Sequence, residues 1–297
     1  MDGVLVIDKP QGVTSHDVVA VARRCLGEKR IGHTGTLDPL ATGVLPLACG
    51  RATRLVRFLS ATDKDYDAVI RFGLTTDSYD ITGAETSRSG HTPPAEAIEA
   101  ALGSLRGTYD QMPPAFSAKR VGGTRAYELA RRDDPVQLTA VPVTVSRAQL
   151  VSLTADQAVV SLTVSAGFYV RTFAHVLGEL TGTGACLAGL RRTRSGDFAV
   201  ASAVRLDDLT ERSAEAKARL LPLERLLPAL PAAHLTDEGG RRVSHGQAIE
   251  PRHLQPGRTA VLPVAPWVRL VGADGRLLAI GTGTAGVPSL HPAVVLI

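Results

Sequence analysis

The segment Gly32-His33-Thr34-Gly35-Thr36-Leu37-Asp38-Pro39-Leu40-Ala41-Thr42-Gly43-Val44-Leu45-Pro46 is the most informative stretch of this chain. Gly32, Gly35 and Gly43 permit tight turns and close backbone approach to a ligand. Pro39 pushes Asp38 away from the helical region toward an extended conformation. The outcome is a stiff loop presenting one carboxylate beside one imidazole. An Asp-Pro step is also an ordinary turn former, so the loop takes its meaning from what surrounds it.

Upstream, the apolar run Val4-Leu5-Val6-Ile7 is bounded by Gly3 and by Asp8-Lys9-Pro10-Gln11-Gly12, the pattern of a buried strand and turn. Thr14-Ser15 is an N-cap with Asp17 in the first turn. Val18, Val21, Ala22 and Cys25 recur at helical spacing until Gly27 stops the helix. Downstream, Thr92-Pro93-Pro94 opens a helix with Ile98, Ala101, Leu102 and Leu105 on one face. Strands are expected over 141–145 and 158–164, the second with Val160, Leu162 and Val164 on one side. A helix over 170–180 is expected to bury Phe173, Ala174, Leu177 and Leu180, leaving Arg171 and His175 on its other face. A charged helix over 207–220 precedes the proline-rich stretch 221–231, where a domain boundary is placed. The tail beyond it reads as short strands and turns. Strands and helices are interspersed without regular βαβ spacing, so the expected class is α+β with a mixed sheet.

Composition agrees with a folded enzyme-sized chain. Of 297 residues 44% are hydrophobic and 21% charged, which excludes a disordered or fibrous protein. The charge balance of +4 permits a polyanionic partner, and 28 of the 33 basic residues are Arg, whose planar fork suits phosphate. Three scattered cysteines without a CxxC exclude a disulfide framework, and no close histidine pair suggests a metal site. The N-terminus lacks a leader pattern and no stretch is apolar for long enough to span a membrane, so a cytoplasmic protein is expected.

The Gly32–Pro46 string resembles the catalytic motif of the TruB family of tRNA pseudouridine synthases, in which the Asp of the Leu-Asp-Pro step is catalytic. Lys9-Pro10 with Gly12 is similar to the family's first motif, and Lys64-Asp65-Tyr66-Asp67-Ala68 to the segment carrying its active-site tyrosine. Gly167-Phe168-Tyr169-Val170-Arg171-Thr172 resembles a strand-end motif with a tyrosine and an arginine, although Gly167-Phe168 replaces a small polar pair. Leu190-Arg191-Arg192-Thr193 resembles a later basic motif. Phe116–Lys119 and Tyr127–Arg131 are similar to an insertion that grips the tRNA T-arm.

The resemblance implies a catalytic domain over 1–225, with the T-arm insertion at about 60–138, and a small β-rich PUA-like RNA-binding domain over 232–297. It implies that uridine-55 in the tRNA T-arm is isomerised to pseudouridine after being flipped from its stack. This reaction needs no cofactor, and neither a GxGxxG fingerprint nor a P-loop is present. Asp38, Tyr66 and Arg171 are the expected catalytic set: Asp38 acts at the sugar, Arg171 pairs with it and orients it, and Tyr66 stacks on the flipped base. His33, Tyr169, Leu190, Lys9, Lys119 and Arg191 are the expected substrate-binding residues. Basic clusters at Arg51/Arg54/Arg57, in the insertion and around Arg191 would form a phosphate track. The implied partner is tRNA, without guide RNA or membrane, and the implied state is a monomer. The rival reading is a non-catalytic tRNA-folding factor that uses the same site.

Overall fold

The computed structural model describes residues 1–114, 120–121, 124–125, 138–259, 262, 265–283 and 289–297. Its centre is a sheet in which Val204–Arg205, Gly3–Lys9, Ala41–Cys49, Ala185–Ser195, Lys64–Phe72, Gln157–Val164, Val141–Leu153 and Gly107–Gln111 are successive neighbours. Only the first of these pairings and that between Ala41–Cys49 and Ala185–Ser195 are parallel. The sheet is therefore mixed and largely antiparallel, and the class is α+β.

The apolar run at the N-terminus is continuous because its strand is buried on both faces. Leu5 and Ile7 face a core built with Val18, Ala22, Phe173, Ala174 and Leu177 of the covering helices. Val4 and Val6 face the opposite way, into a cluster that includes Val271, Leu277, Ile280 and Leu296 of the tail. The tail thus packs on the back of the large sheet, leaving the front to the helices. Its own four-stranded sheet joins Ala232–His234, Val268–Val271, Leu277–Gly283 and Leu290–Val295.

The first helix, Ser15–Leu26, carries a capping box in which Thr14 Oγ1 accepts from Asp17 N–H and the Asp17 carboxylate accepts from Thr14 N–H. Gly27 closes it at φ 64°, a left-handed position suited to glycine. Several expectations are corrected. The 95–104 helix is capped by Pro94, while Thr92 Oγ1 bonds the Ala155 carbonyl. The charged segment after Arg205 breaks at Arg212 into two helices, Leu206–Glu211 and Ser213–Ala218. Within the insertion expected at about 60–138, Lys64–Phe72 and Gly107–Gln111 are strands of the central sheet. The tail, expected as short strands and turns, also carries a helix, Asp237–Ser244. A Cβ on Gly239 would lie 2.7 Å from the His253 carbonyl oxygen, so glycine lets this helix sit close on its neighbour. Among the described residues no helix is long and apolar enough to cross a membrane.

Candidate active site

The loop around Asp38 is anchored on every side. Ser15 Oγ accepts from Leu37 N–H at 2.9 Å and donates to the Leu37 carbonyl at 3.0 Å. Gly12 N–H donates to Pro39 O at 2.8 Å. Lys9 is fully buried beneath the loop, and its ammonium donates to Ala41 O at 2.6 Å, Pro10 O at 2.9 Å and Pro39 O at 3.5 Å. The Lys-Pro-x-Gly turn and the loop are thus one structural unit, although they lie far apart in sequence. Burial pushes the Lys9 ammonium down to about 8, opposed by the charge of Asp38.

Against the other side of the loop lies Arg192, 1% exposed. Its Nε donates to Val44 O at 2.7 Å and its Nη2 to Gly35 O at 3.1 Å. No carboxylate pairs with it among the described residues. The parallel pairing of Arg192 with Gly43 brings it there.

These supports border a cavity of about 560 Å³ lined by Thr34–Asp38, Lys64, Tyr66, Ser165–Arg171, Leu190 and Arg192. Tyr66 is 7% exposed and stands in register between Leu162 on one neighbouring strand and Arg192 on the other. Lys64 donates to Ser60 O at 2.6 Å, and burial together with the charge of Arg192 lowers its ammonium to about 8. Arg171 faces Asp38 across the opening, with Nε 2.9 Å from Oδ2. Its Nη1 donates to Ser78 O at 3.1 Å and lies 3.7 Å from Asp80 Oδ2. Asp80 is in turn fixed by Ser78 Oγ and by Thr82 N–H and Oγ1, all donating to Oδ1. A guanidinium held by a carbonyl and two carboxylates has one orientation open to it.

Five of the expected residues therefore converge on one cavity: Asp38, Tyr66, Tyr169, Arg171 and Leu190. Tyr169 is held through its backbone, which exchanges hydrogen bonds with the buried amide of Gln111 at 2.8 and 3.1 Å. Arg171 is buried and paired with Asp38, while Leu180, expected to be buried, is 53% exposed. His33 does not line the cavity; it packs edge-on to His16 with centroids 6.3 Å apart, its Nδ1 buried without a partner. Burial and the neighbouring His16 lower its imidazole below the ordinary value. Lys9 lies under the loop, and Arg191 points away to form a two-pronged pair with Asp8 at 2.8 and 3.1 Å. Lys119 lies outside the described residues. Residue-by-residue reading missed Asp80, Gln111 and the site roles of Lys64 and Arg192. Only the flanking polar run Asp77-Ser78-Tyr79-Asp80 carried a signal, that of a turn.

The arginines at 51, 54 and 57, expected on a phosphate track, are each engaged by the tail. Arg51 pairs with Asp2 and donates to Leu296 O at 2.7 Å, and Arg54 donates to Val295 O. The Arg57 guanidinium lies over the rings of Phe58 and Trp267, 4.6 and 4.7 Å from their centroids. All three fasten the tail to the large sheet.

Comparison with known proteins adds a second line of evidence. The model of the TruB family pseudouridylate synthase N-terminal domain matches residues 23–170, and that of the tRNA pseudouridylate synthase B C-terminal domain matches residues 171–228. The chain is 42% identical over 300 residues to tRNA pseudouridine synthase B of Solibacter usitatus, covering 100% of both. It is 40% identical over 306 residues to the protein of that name in Thermobifida fusca, covering 99% of this chain and 98% of the relative. Among solved structures it is similar to a chain of a Cbf5-Nop10-Gar1 complex, with a TM-score of 0.76 and 25% identity, covering 99% of this chain and 85% of that one.

Proposed function

The chain belongs to the TruB family of pseudouridylate synthases, and from that premise we propose that it isomerises uridine-55 in the T-arm of tRNA, with Asp38 as the catalytic residue. The enzyme is an isomerase that makes pseudouridine in tRNA. The observation that carries the finer reading is the Asp38–Arg171 pair, 2.9 Å apart in the lining of a cavity that also includes Tyr66.

The reaction breaks the N1–C1′ bond, turns the uracil, forms C5–C1′, and moves the proton of C5 to N1. A carboxylate beside the sugar either attacks C1′ or removes a sugar proton, and Asp38 supplies that carboxylate. Arg171 pairs with that carboxylate at 2.9 Å and fixes its orientation. Tyr66 supplies a face on which a flipped pyrimidine stacks. Lys64 and Arg192 make the cavity wall cationic, which favours the phosphates that travel with a flipped nucleotide. Full-length identity of 42% to a tRNA pseudouridine synthase B supports a chain that reads tRNA itself, without a guide RNA.

The test is pseudouridine mapping on unmodified tRNA and on an isolated T-arm hairpin, using wild type and Asp38→Asn. Wild type alone is expected to convert the T-loop uridine, in both RNAs, while both proteins bind tRNA. Conversion by Asp38→Asn would refute the assignment. Binding without conversion by either protein would leave a tRNA-folding factor.

A further inference from the structure

Tyr79 adopts φ 64°, in the left-handed region that side chains other than Gly, Asn and Asp rarely enter. Its ring lies flat on the imidazole of His175, with centroids 3.9 Å apart and planes 11° from parallel. His175 stands one turn after Arg171 on the Val170–Leu180 helix, so the two side chains share a face. On either side of Tyr79, Ser78 O and the Asp80 carboxylate both address Arg171 Nη1. The opposite side of the turn is tied to the sheet, Tyr79 O accepting from Leu187 N–H and Ile81 N–H donating to Leu187 O, each at 2.9 Å. Three consecutive residues are thereby pressed between a strand and a helix. Neither aromatic ring lines the cavity.

We propose that Tyr79 and His175 are positioning residues: their stack locks the Ser78–Asp80 turn against the helix and so aims Arg171 at Asp38. The proposal rests on the reading of Asp38 given above. A turn that merely needed a left-handed residue would be satisfied by glycine without strain. A bulky tyrosine persists there because the ring has a function that the backbone conformation alone does not supply.

The test uses Tyr79→Gly, which keeps the left-handed backbone free of strain and removes only the ring, with His175→Ala as an independent removal of the other half. Each is expected to lower kcat on tRNA by about ten-fold or more with KM within about two-fold, since a misaimed catalytic group costs rate and not binding. The double variant should lose no more than either single one, because the two act as a unit. Tyr79→Phe and His175→Phe, which keep a stacked pair, should restore the rate. An activity-independent reading comes from hydrogen exchange of the Arg171 Nε–H by 15N NMR. It should quicken about ten-fold in Tyr79→Gly and His175→Ala and stay slow in Tyr79→Phe. Wild-type kcat and slow exchange in both ring-deleted variants would overturn the proposal, as would a loss confined to KM, which would make the rings an RNA contact. If wild type makes no pseudouridine, the functional reading falls while the exchange measurement still decides whether the stack aims Arg171.

Discussion

The carbonyl oxygen of Arg192 lies 2.2 Å from where a Cβ would stand on Gly43, and Gly43 has φ 99°. The motif loop and the buried cation therefore meet through a position that no side chain can occupy. Gly43→Ala combines a backbone clash with a disfavoured φ, so a loss of more than about 3 kcal/mol is expected from urea denaturation. Because the clash falls where Arg192 holds the loop, any protein that folds should also be inactive. A stable, active Gly43→Ala protein would show that this parallel pair is not what sets the loop.

Arg171→Lys is expected to behave almost as badly as Arg171→Ala. A lysine offers one ammonium where the guanidinium meets Asp38, Ser78 O and Asp80 together. Single-turnover kinetics should show kcat lowered by about a hundred-fold or more in both. Arg171→Ala should lose a further ~3 kcal/mol of stability, by leaving Asp80 buried beside an empty space. Wild-type turnover by the lysine variant would mean that charge alone suffices.

How much of this was legible beforehand differs by interaction range. Caps and alternation are local, and so Thr14, Gly27 and the Val160–Val164 face were readable from their neighbours alone. The carboxylate loop was readable through its proline and glycines. The pairing of Arg171 with Asp38 was legible only through the family resemblance, because the helix pattern by itself says nothing of what Arg171 meets. Its partners Asp38 and Asp80 come from loops distant in sequence, and only the fold brings them near. Lys9 and Arg192 are a second case of range: their sequence neighbours carry no sign of the backbone carbonyls at 39, 41, 35 and 44 that they meet. Leu180 fits the helical stripe, yet it ends the helix where no neighbour covers it.

The Arg51–Arg57 clasp yields a prediction opposite to that of a phosphate track. Replacing Arg51 by Ala should leave the slope of log affinity against log salt for tRNA unchanged, because the guanidinium is already committed to Asp2 and Leu296. Replacing Arg57 by Ala should shift the emission of Trp267, the sole tryptophan, without altering that slope. A slope reduced by about one in either variant would return these residues to the RNA-binding surface.

Lys64 gives the pH dependence, and its sign follows from burial. Its ammonium titrates near 8 in the folded protein and near 10.4 in an unfolded chain. Below pH 8 it is charged in both states, and folding bears the full cost of burying that charge. Between about pH 8 and 10 the folded protein has released the proton that the unfolded chain still holds, so this contribution to stability rises with pH. Wild type alone does not isolate this effect: the Lys9 ammonium, also near 8, acts with the same sign, and the thiols of Cys49 and Cys186, pushed up to about 12 and about 11 by burial, act with the opposite sign above pH 9. They cancel in a comparison with Lys64→Met, which lacks the buried ammonium. The stability of Lys64→Met relative to wild type should therefore fall steadily from pH 8 to pH 10, by on the order of 1–2 kcal/mol in urea denaturation. Parallel stability curves for the two proteins across that range would mean that Lys64 holds its proton in the fold, and that the cavity wall keeps its full positive charge there.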